Sequence, residues 1–311
     1  MLKKAALFCT VATLSLTTPV LAKDLGTVGI TVGSLGNPFF VQLAKGAEAK
    51  AQELSGGKVN ATAISADYDL NKQSTQIDNF IASGAEMVLI DAVDPNAIEP
   101  AINRLHDAGI VAVAVDESAK GADITIQTNN VEAGQKSCQY IADKLGGKGN
   151  VVIMNGPPVS SVLARVDGCK AVFAKYPGIK ILSDNQNGKG SREGGLEVMM
   201  GLLTAYDQID AVFTINDPQA IGADLAAKQL NRTDLFITSV DGAPDIEAAL
   251  KQPGNLIEAS ATQDPYAMAQ KGVEIGYDIL QGKLPAEKVI LISAQLITRD
   301  TVDQYKGWTS Q

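Results

Sequence analysis

Short runs rich in valine and isoleucine alternate with longer amphipathic stretches from Thr27 almost to the end of the chain. In the longer stretches, apolar residues recur at helical spacing, as at Phe40, Leu43, Ala47 and Ala51. This alternation is typical of βα units and predicts parallel strands covered by helices. The predicted strands are Thr27–Ser34, Lys58–Ala66, Met87–Ala92, Val111–Asp116, Ile124–Thr128, Asn150–Gly156, Lys180–Asp184, Ala211–Asn216, Leu235–Asp241, Leu256–Thr262 and Val289–Leu296.

These strands are too numerous for one small sheet, so we divide them into two sets. The first set ends near Thr128 and the second begins near Asn150, with no glycine- or serine-rich linker between them. Without its first 22 residues, the 311-residue chain still has about twice the usual domain size of ~100 to 200 residues. We therefore expect an α/β protein whose two lobes are joined by short hinges.

The first 22 residues have the three parts of an export signal. A pair of lysines precedes an apolar stretch from Ala5 to Leu16, and the segment from Val20 to Ala22 offers small residues to a signal peptidase. The apolar stretch of about 12 residues is shorter than the ~20 residues that a membrane-spanning helix needs. We therefore interpret residues 1–22 as a signal peptide that is cleaved after Ala22, and we expect the mature protein to be exported and free of the membrane.

The composition removes several classes of function. The chain has 26 basic and 35 acidic residues, a formal net charge of −9 and no run of basic residues. Nucleic acid is therefore not an expected partner. One histidine and three cysteines leave too few ligands for a Cys/His zinc site and too few groups for a Ser-His-Asp triad. We expect no metal, no cofactor and no catalytic residue.

Polar side chains gather at the downstream ends of the predicted strands, where open α/β sheets bind their ligands. Carboxylates accept hydrogen bonds from hydroxyls, and amides both donate and accept, so these residue types suit a neutral ligand with many hydroxyls. A sugar is the natural candidate. Capping of helices and formation of turns is the other interpretation, and it fits single positions better than the whole set. The set comprises Asn37, Asp91, Asp116, Glu117, Asn129, Asn216, Asp217, Asp241 and Gln263.

The segment Asn37-Pro38-Phe39-Phe40 is the sharpest local signal. Asparagine caps helices and proline suits the first helical turn, so a helix is expected to begin here. Two adjacent aromatic residues at a helix start cannot both face the core. We therefore expect Phe39 or Phe40 to face the cleft between the lobes, where an aromatic face stacks on the C–H side of a sugar ring.

Several short motifs occur in a specific order along the mature chain: Asn37-Pro38-Phe39-Phe40, Val115-Asp116, Thr128-Asn129-Asn130, Arg165-Val166-Asp167-Gly168, Ile215-Asn216-Asp217 and Val240-Asp241-Gly242. In this order they resemble the signatures of the ribose-binding-protein-like periplasmic sugar receptors of ABC importers. The resemblance implies the type I periplasmic binding protein fold, in which two doubly wound parallel-sheet lobes are joined by a three-strand hinge. It divides the chain into an N-terminal lobe of residues 23–128 plus 264–292 and a C-terminal lobe of residues 129–263 plus 293–311.

The resemblance also implies which residues contact the ligand, with Arg165 and Asp116 as a forked donor and an acceptor for adjacent hydroxyls. Glu117 departs from the ribose receptors, which resemble one another in having arginine there, and it adds capacity to accept from a further hydroxyl. Gly190 and Val240 stand where those receptors bring aromatic residues, and the segment 185–195 looks more like the fructose and polyol branch. The expected ligand-binding residues are Asn37, Phe39, Phe40, Asp91, Asp116, Glu117, Asn129, Arg165, Asn216, Asp241 and Gln263.

Read through this resemblance, the chain is a monomeric solute-binding protein that captures a pentose, a hexose or a sugar alcohol and delivers it to the membrane permease subunits of an ABC transporter. A chemoreceptor is a second partner that the resemblance allows. A glycoside hydrolase is the rival function, since Asp116, Glu117 and Asp241 supply the carboxylates that such an enzyme needs.

Cys138 and Cys169 both lie on apolar stripes of predicted helices. Two buried free thiols are one interpretation. Export to an oxidising compartment favours the other, a disulfide that joins two helices of the second lobe. The sequence leaves both open, because bonding depends on a Cα separation that it does not contain.

Overall fold

A computed structural model describes residues 25–308, so the expected signal peptide and its cleavage after Ala22 lie outside the described residues. The described chain folds into two six-stranded sheets with helices on their faces. The strands are β1 (Thr27–Val32), β2 (Asn60–Ser65), β3 (Met87–Ile90), β4 (Val111–Val115), β5 (Ile124–Thr128), β6 (Lys148–Met154), β7 (Gly178–Ser183), β8 (Ala211–Thr214), β9 (Phe236–Asp241), β10 (Ile257–Thr262), β11 (Val289–Ile292) and β12 (Leu296–Thr298). The helices are α1 (Pro38–Ser55), α2 (Leu70–Ala82), α3 (Glu99–Asp107), α4 (Asn130–Lys144), α5 (Ser160–Phe173), α6 (Arg192–Ala205), α7 (Asp217–Gln229), α8 (Pro244–Lys251) and α9 (Pro265–Leu280).

The first sheet has the strand order β11-β5-β4-β3-β1-β2, and all of its strands are parallel. The second sheet has the order β12-β10-β9-β8-β6-β7 and is parallel except for the edge strand β12. The chain order reverses beside β1 in one sheet and beside β6 in the other, which opens a crevice at the carboxyl ends of the neighbouring strands. The predicted class of two doubly wound α/β lobes is confirmed. We call the first sheet with its helices the first lobe and the second sheet with its helices the second lobe.

The chain passes between the two sheets three times, after Thr128, after Thr262 and after Ile292. The last passage corrects the prediction of one strand over Val289–Leu296. β11 pairs with β5 in the first sheet, whereas β12 pairs with β10 in the second, so the apolar run crosses from one lobe to the other. The crossing is held where the Thr262 amide donates to the Gln295 carbonyl at 2.6 Å.

Each lobe has its own buried core. Helix α1 buries the stripe that its apolar spacing predicts, including Leu43 and Ala47. Helix α9 packs against α1 and the first sheet, so the chain returns to the first lobe after β10. Among residues 25–308, no helix has the length and apolar character that crossing a membrane requires.

Trp308 joins the end of the described chain to both lobes. Its ring meets Phe39 of the first lobe edge to face, with 5.7 Å between centroids. Its indole N–H donates to the carbonyl oxygens of Asp241, at 3.1 Å, and Gln263, at 3.0 Å. This part of segment 293–311, expected in the C-terminal lobe, is therefore buried in a core cluster with residues of the first lobe.

Cys138 on α4 and Cys169 on α5 form a disulfide, with 5.1 Å between their Cα atoms. Both residues are fully buried in the core of the second lobe. Of the two alternatives that the sequence leaves open, the structure has the bridge between helices.

Candidate functional site

A cavity lies between the two lobes. Its walls come from the carboxyl ends of strands in both sheets and from the first turns of the helices that follow them. The predicted site residues that line it are Asn37, Phe39, Phe40, Asp91, Asp116, Glu117, Arg165, Asn216, Asp241 and Gln263.

Asn129 is the predicted site residue that the structure does not bring to this cavity. Its side chain caps α4 by accepting from the Glu132 amide at 3.2 Å, and it lines a separate surface pocket. The following residue, Asn130, is buried and accepts from Nε of Arg165 at 2.8 Å. The Asn-Asn pair therefore contributes to the site indirectly, through the residue that orients the arginine.

The first lobe presents two buried carboxylates with incomplete hydrogen bonding. Oδ2 of Asp91 accepts from the Gly33 amide at 2.6 Å. Among the described residues, Oδ1 of Asp91 and Oδ1 of Asp116 have no hydrogen-bond partner. Burial raises the pKa of both carboxyls well above the ordinary value, and the neighbouring carboxylates raise it further. An unpaired buried acceptor is costly, and these two oxygens remain available to hydrogen-bond donors placed in the cavity.

The backbone is strained at two of the site carboxylates. Asp116 has φ of 63° and is the central residue of a γ-turn, in which the Glu117 amide donates to the Val115 carbonyl at 2.7 Å. Asp241 has φ of 137°, in a backbone region that residues other than glycine rarely adopt. Such conformations cost roughly 1–3 kcal/mol each and cluster at ligand-binding sites. In both places the strain sets the direction in which a carboxylate leaves its strand.

Arg165 is a buried side chain of the second lobe that brings hydrogen-bond donors to the cavity. Its Nε donates to Asn130, and its Nη1 donates to the Ile215 carbonyl at 2.9 Å and contacts Oδ1 of Asp241 at 3.4 Å. Nη2 has no hydrogen-bond partner among the residues that the structure describes. The guanidinium is thus fixed on one side and has donors available on the other.

Asp241 and Gln263 connect Arg165 to the hinge. Oδ1 of Asp241 accepts from Nε2 of Gln263 at 2.8 Å, and Oε1 of Gln263 accepts from the Thr128 hydroxyl at 2.7 Å. Burial raises the pKa of Asp241 to about 6, against the opposing effects of Arg165 and Gln263. Thr128 ends β5 and Gln263 follows β10, so this chain of hydrogen bonds ties two of the three crossings together.

Both polar atoms of the Asn216 side chain are hydrogen-bonded to backbone groups of the protein. Its Oδ1 caps α7 by accepting from the Gln219 amide at 3.1 Å, and its Nδ2 donates to the Gly190 carbonyl at 3.0 Å. Oε1 of Gln219 accepts from the Gly190 amide at 2.8 Å, so both backbone groups of Gly190 are fixed. The capping interpretation is therefore right for this asparagine, which shapes the wall of the cavity through the loop it holds.

Phe39 and Phe40 both line the cavity, with ring planes at 87° and centroids 5.3 Å apart. The sequence predicts that one of the two rings faces the cleft, whereas both rings line the cavity. Tyr68 is a third aromatic side chain of the cavity, and the sequence argument missed it. It has φ of 57° and follows Asp67 at φ of 53°, a pair of left-handed residues that turns the chain sharply after β2. The sequence contains one indication of this role: in the segment Asp67-Tyr68-Asp69, a large aromatic residue stands between two charged residues directly after a predicted strand.

Asp91, Asp116 and Glu117 form the one group among the described residues whose spacing suits a metal ion, with one oxygen from each within 4.8 Å of the others. Carboxylate oxygens suit calcium or magnesium, and calcium takes about six to eight oxygens. Both oxygens of Glu117 already accept from serine groups of α5, which leaves Asp91 and Asp116. The arrangement suits donors from ligand hydroxyls better than a cation.

Comparisons with known proteins give a consistent result. A family model described as a periplasmic binding protein domain matches residues 28–284. The ribose import binding protein RbsB of Bacillus subtilis is 31% identical over 282 residues, which cover 88% of this chain and 87% of RbsB. The xylitol-binding protein of Mycolicibacterium smegmatis is 30% identical over 286 residues, which cover 90% of this chain and 79% of that protein.

Solved structures show the same similarity in three dimensions. The arabinose-binding component of an ABC transporter from Shewanella sp. ANA-3, bound to L-arabinofuranose, has a TM-score of 0.83 at 26% identity, and the match covers 89% of this chain and 93% of that chain. A solute-binding protein from Bacillus halodurans with bound myo-inositol has a TM-score of 0.82 at 20% identity, over 91% of this chain and 98% of that chain. This second likeness shows the fold.

Proposed function

The chain belongs to the periplasmic binding protein family, and from this premise we propose that it captures a neutral sugar or sugar alcohol for an ABC importer. One observation carries the proposal. Two buried acceptor oxygens, Oδ1 of Asp91 and Oδ1 of Asp116, line the same cavity as Arg165, whose Nη2 has no partner among the described residues. Adjacent hydroxyls of a sugar donate to the carboxylates and accept from the guanidinium, so one ligand satisfies groups from both lobes.

The division of contacts between the lobes supports a capture mechanism. The first lobe supplies Asp91, Asp116 and the aromatic rings, and the second lobe supplies Arg165 and Asp241. A ligand drives closure only if it interacts more favourably with the closed form than with the open form. Contacts from both lobes provide that difference. The closed protein then docks on the membrane permease, which receives the ligand.

The charges of the cavity favour a neutral ligand. Four acidic side chains, those of Asp91, Asp116, Glu117 and Asp241, line it with one guanidinium, that of Arg165. Burial raises the pKa of Asp91, Asp116 and Asp241, so the site already disfavours negative charge. A further buried anion would be costly there, which disfavours sugar acids and sugar phosphates. The ribose and xylitol named for the two relatives are a neutral pentose and a neutral five-carbon alcohol, so pentoses, hexoses and sugar alcohols define the class we propose.

Several further parts of the proposal concern the whole chain. Residues 1–22 direct export to the periplasm and are removed after Ala22, and the mature protein acts as a monomer without a cofactor. Residues 23–128 with 264–292 form the lobe that captures the ligand, and residues 129–263 with 293–311 form the lobe that closes over it. This division into lobes is supported by the three points at which the chain crosses from one sheet to the other, after Thr128, Thr262 and Ile292.

A thermal-shift screen of the mature protein against a library of sugars, sugar alcohols, sugar acids and sugar phosphates tests the function. We expect stabilisation by at least one neutral compound, with one-to-one binding in calorimetry. Stabilisation by charged compounds alone would contradict the proposed class. Incubation with nitrophenyl glycosides tests the rival enzyme: release of nitrophenol above the rate of an Asp116→Asn variant would support hydrolysis, and saturable binding without release supports the receptor.

A further inference from the structure

Glu117 connects the two lobes directly. It follows β4 in the first lobe, whereas its hydrogen-bond partners begin α5 in the second lobe. Its Oε2 accepts from the Ser160 hydroxyl at 2.5 Å and from the Ser161 amide at 2.8 Å, and its Oε1 accepts from the Ser161 hydroxyl. Next to it, the Ser118 amide donates to the Ser160 hydroxyl oxygen at 2.9 Å. Four hydrogen bonds thus cross the cleft at one point.

Helix α5 lacks an N-cap of its own. Val159 stands at the N-cap position and makes no side-chain hydrogen bond to the first turn. The amides of a first helical turn need acceptors, and a carboxylate at this end is further stabilised by the helix dipole. Glu117 supplies that acceptor from the other lobe. The cap therefore exists only while the lobes are closed, and opening the cleft breaks it.

Glu117 differs in this respect from the other carboxylates of the first lobe. Asp91 and Asp116 each have an oxygen without a partner, whereas both oxygens of Glu117 are occupied by protein donors. Glu117 is also buried, so these bonds form away from bulk water. The expected role of Glu117 as an acceptor for a ligand hydroxyl does not match this geometry.

We propose that Glu117, Ser160 and Ser161 form a latch that stabilises the closed form independently of which sugar is bound. Glu117 is thus a positioning residue that acts on lobe closure, and its effect on affinity rests on the proposed function. Apparent affinity scales with the fraction of protein in the binding-competent form. Loss of the latch therefore weakens the binding of every ligand by the same factor, whereas loss of a ligand contact changes the order of preference among ligands.

Calorimetry on a panel of neutral ligands compares the wild type with Glu117→Ala, Ser160→Ala/Ser161→Ala and the triple variant. We expect each change to weaken the binding of all ligands by about the same factor, on the order of tenfold. The loss in the triple variant should be smaller than the sum of the other two losses, because the only bond across the cleft that it loses beyond those of Glu117→Ala is the one from the Ser118 amide to Ser160. Glu117→Gln, which keeps the shape and one acceptor oxygen, should fall between. Glu53→Gln, an exposed carboxylate on α1, is the matched control and should change nothing. A reordered ligand preference, unchanged affinity, or additive losses would overturn the latch.

Small-angle X-ray scattering of the proteins without ligand gives a readout that needs no sugar. We expect a larger radius of gyration for Glu117→Ala than for the wild type and for Glu53→Gln, because the open form gains population. Equal radii would refute the latch. If the wild type binds no compound of the panel, the sugar-binding function fails, and the scattering comparison still decides whether Glu117 holds the lobes together.

Discussion

Gly134 on α4 lies directly against the backbone of Arg165 on α5: a Cβ atom at position 134 would come within 2.0 Å of the Arg165 carbonyl oxygen. The contact is mutual, since a Cβ at Gly168 would come within 2.2 Å of the Val131 carbonyl oxygen. The disulfide between Cys138 and Cys169 joins the same two helices. The position of the guanidinium of Arg165, which lines the cavity, therefore depends on two helices that approach as closely as glycine allows.

The first expectation follows from this contact. Gly134→Ala should destabilise the protein by about 1–3 kcal/mol or more, because the methyl group overlaps backbone that cannot move aside. It should also weaken ligand binding, since α5 must shift and carries Arg165 with it. Gly201→Ala on α6 is the matched control, because a Cβ there meets nothing within 4 Å. The control should gain roughly 0.5–1 kcal/mol, as alanine is the better helix former. Urea unfolding monitored by circular dichroism measures both, and equal effects would contradict the argument.

Replacing Arg165 with alanine removes the available donor Nη2 and leaves the buried carboxylate of Asp241 without its cationic neighbour. We expect affinity to fall by roughly 10- to 100-fold, the value of one hydrogen bond to a charged group. Arg165→Lys should recover part of the loss, because it restores the charge and not the fork. Calorimetry at one pH measures the three proteins. Wild-type affinity in Arg165→Ala would remove this residue from the binding site.

We expect the Asp91 carboxyl to lower the stability of the ligand-free protein and to strengthen the binding of sugar. In Asp91→Asn the amide oxygen still accepts from the Gly33 amide, and a buried charge beside two other carboxylates is gone. We expect the melting temperature without ligand to rise by a few degrees and the affinity for sugar to fall about tenfold. The exposed Asp107→Asn is the control and should change neither. A variant that loses both stability and binding would mean that the charge at Asp91 is part of the folded structure rather than of the site.

Stability without ligand should fall as the pH rises. Burial raises the pKa of Asp91, Asp116 and Asp241 in the folded protein, so the folded state binds more protons than the unfolded state and stability declines with increasing pH. For Asp241 the decline runs from its ordinary value of 3.8 to about 6, and Asp91 and Asp116 contribute in the same direction. Melting temperatures should therefore decrease as the pH rises through the window that Asp241 sets, from 3.8 to about 6. The slope should be smaller in Asp91→Asn, and an equal slope in both proteins would contradict the assignment.

The disulfide should contribute substantially to stability. Its cysteines are 31 residues apart, and closing a loop of that length stabilises a protein by about 3 to 4 kcal/mol through the unfolded state. We expect the Cys138→Ala/Cys169→Ala variant to lose an amount of this order in denaturant unfolding. Alkylation before and after reduction, read by intact mass, tests the bridge itself: thiols that react in the unreduced mature protein would exclude it.

The sequence predicts the lobes and the chemical type of the site because both follow local rules. Strands and helices are set by spacing within a segment, and polar residues at strand ends converge wherever parallel strands end together. Two neighbouring residues mark the limit of such rules. Asn129 and Asn130 have the same side chain, and which of them caps α4 and which orients Arg165 depends on where the helix begins.

The features that the sequence does not predict depend on distant contacts. Glu117 has the right chemistry for a ligand hydroxyl, yet its partners lie 43 and 44 residues further along the chain and in the other lobe. The run from Val289 to Leu296 is continuous in hydrophobicity, and only its partners β5 and β10 divide it between two sheets. Tyr68 enters the cavity because two successive left-handed residues turn the chain, which apolar spacing does not reveal.

Trp308 is the only tryptophan in the sequence, and it stands where the first lobe meets the backbone of Asp241 and Gln263. All tryptophan fluorescence of the protein therefore comes from one indole at the junction of the lobes. Movement of Phe39 or of the two carbonyl oxygens changes the polarity and the hydrogen bonding around that indole. We therefore expect the emission of Trp308 to change when the lobes close, so that a titration read at one emission wavelength follows ligand capture without a dye or an engineered label.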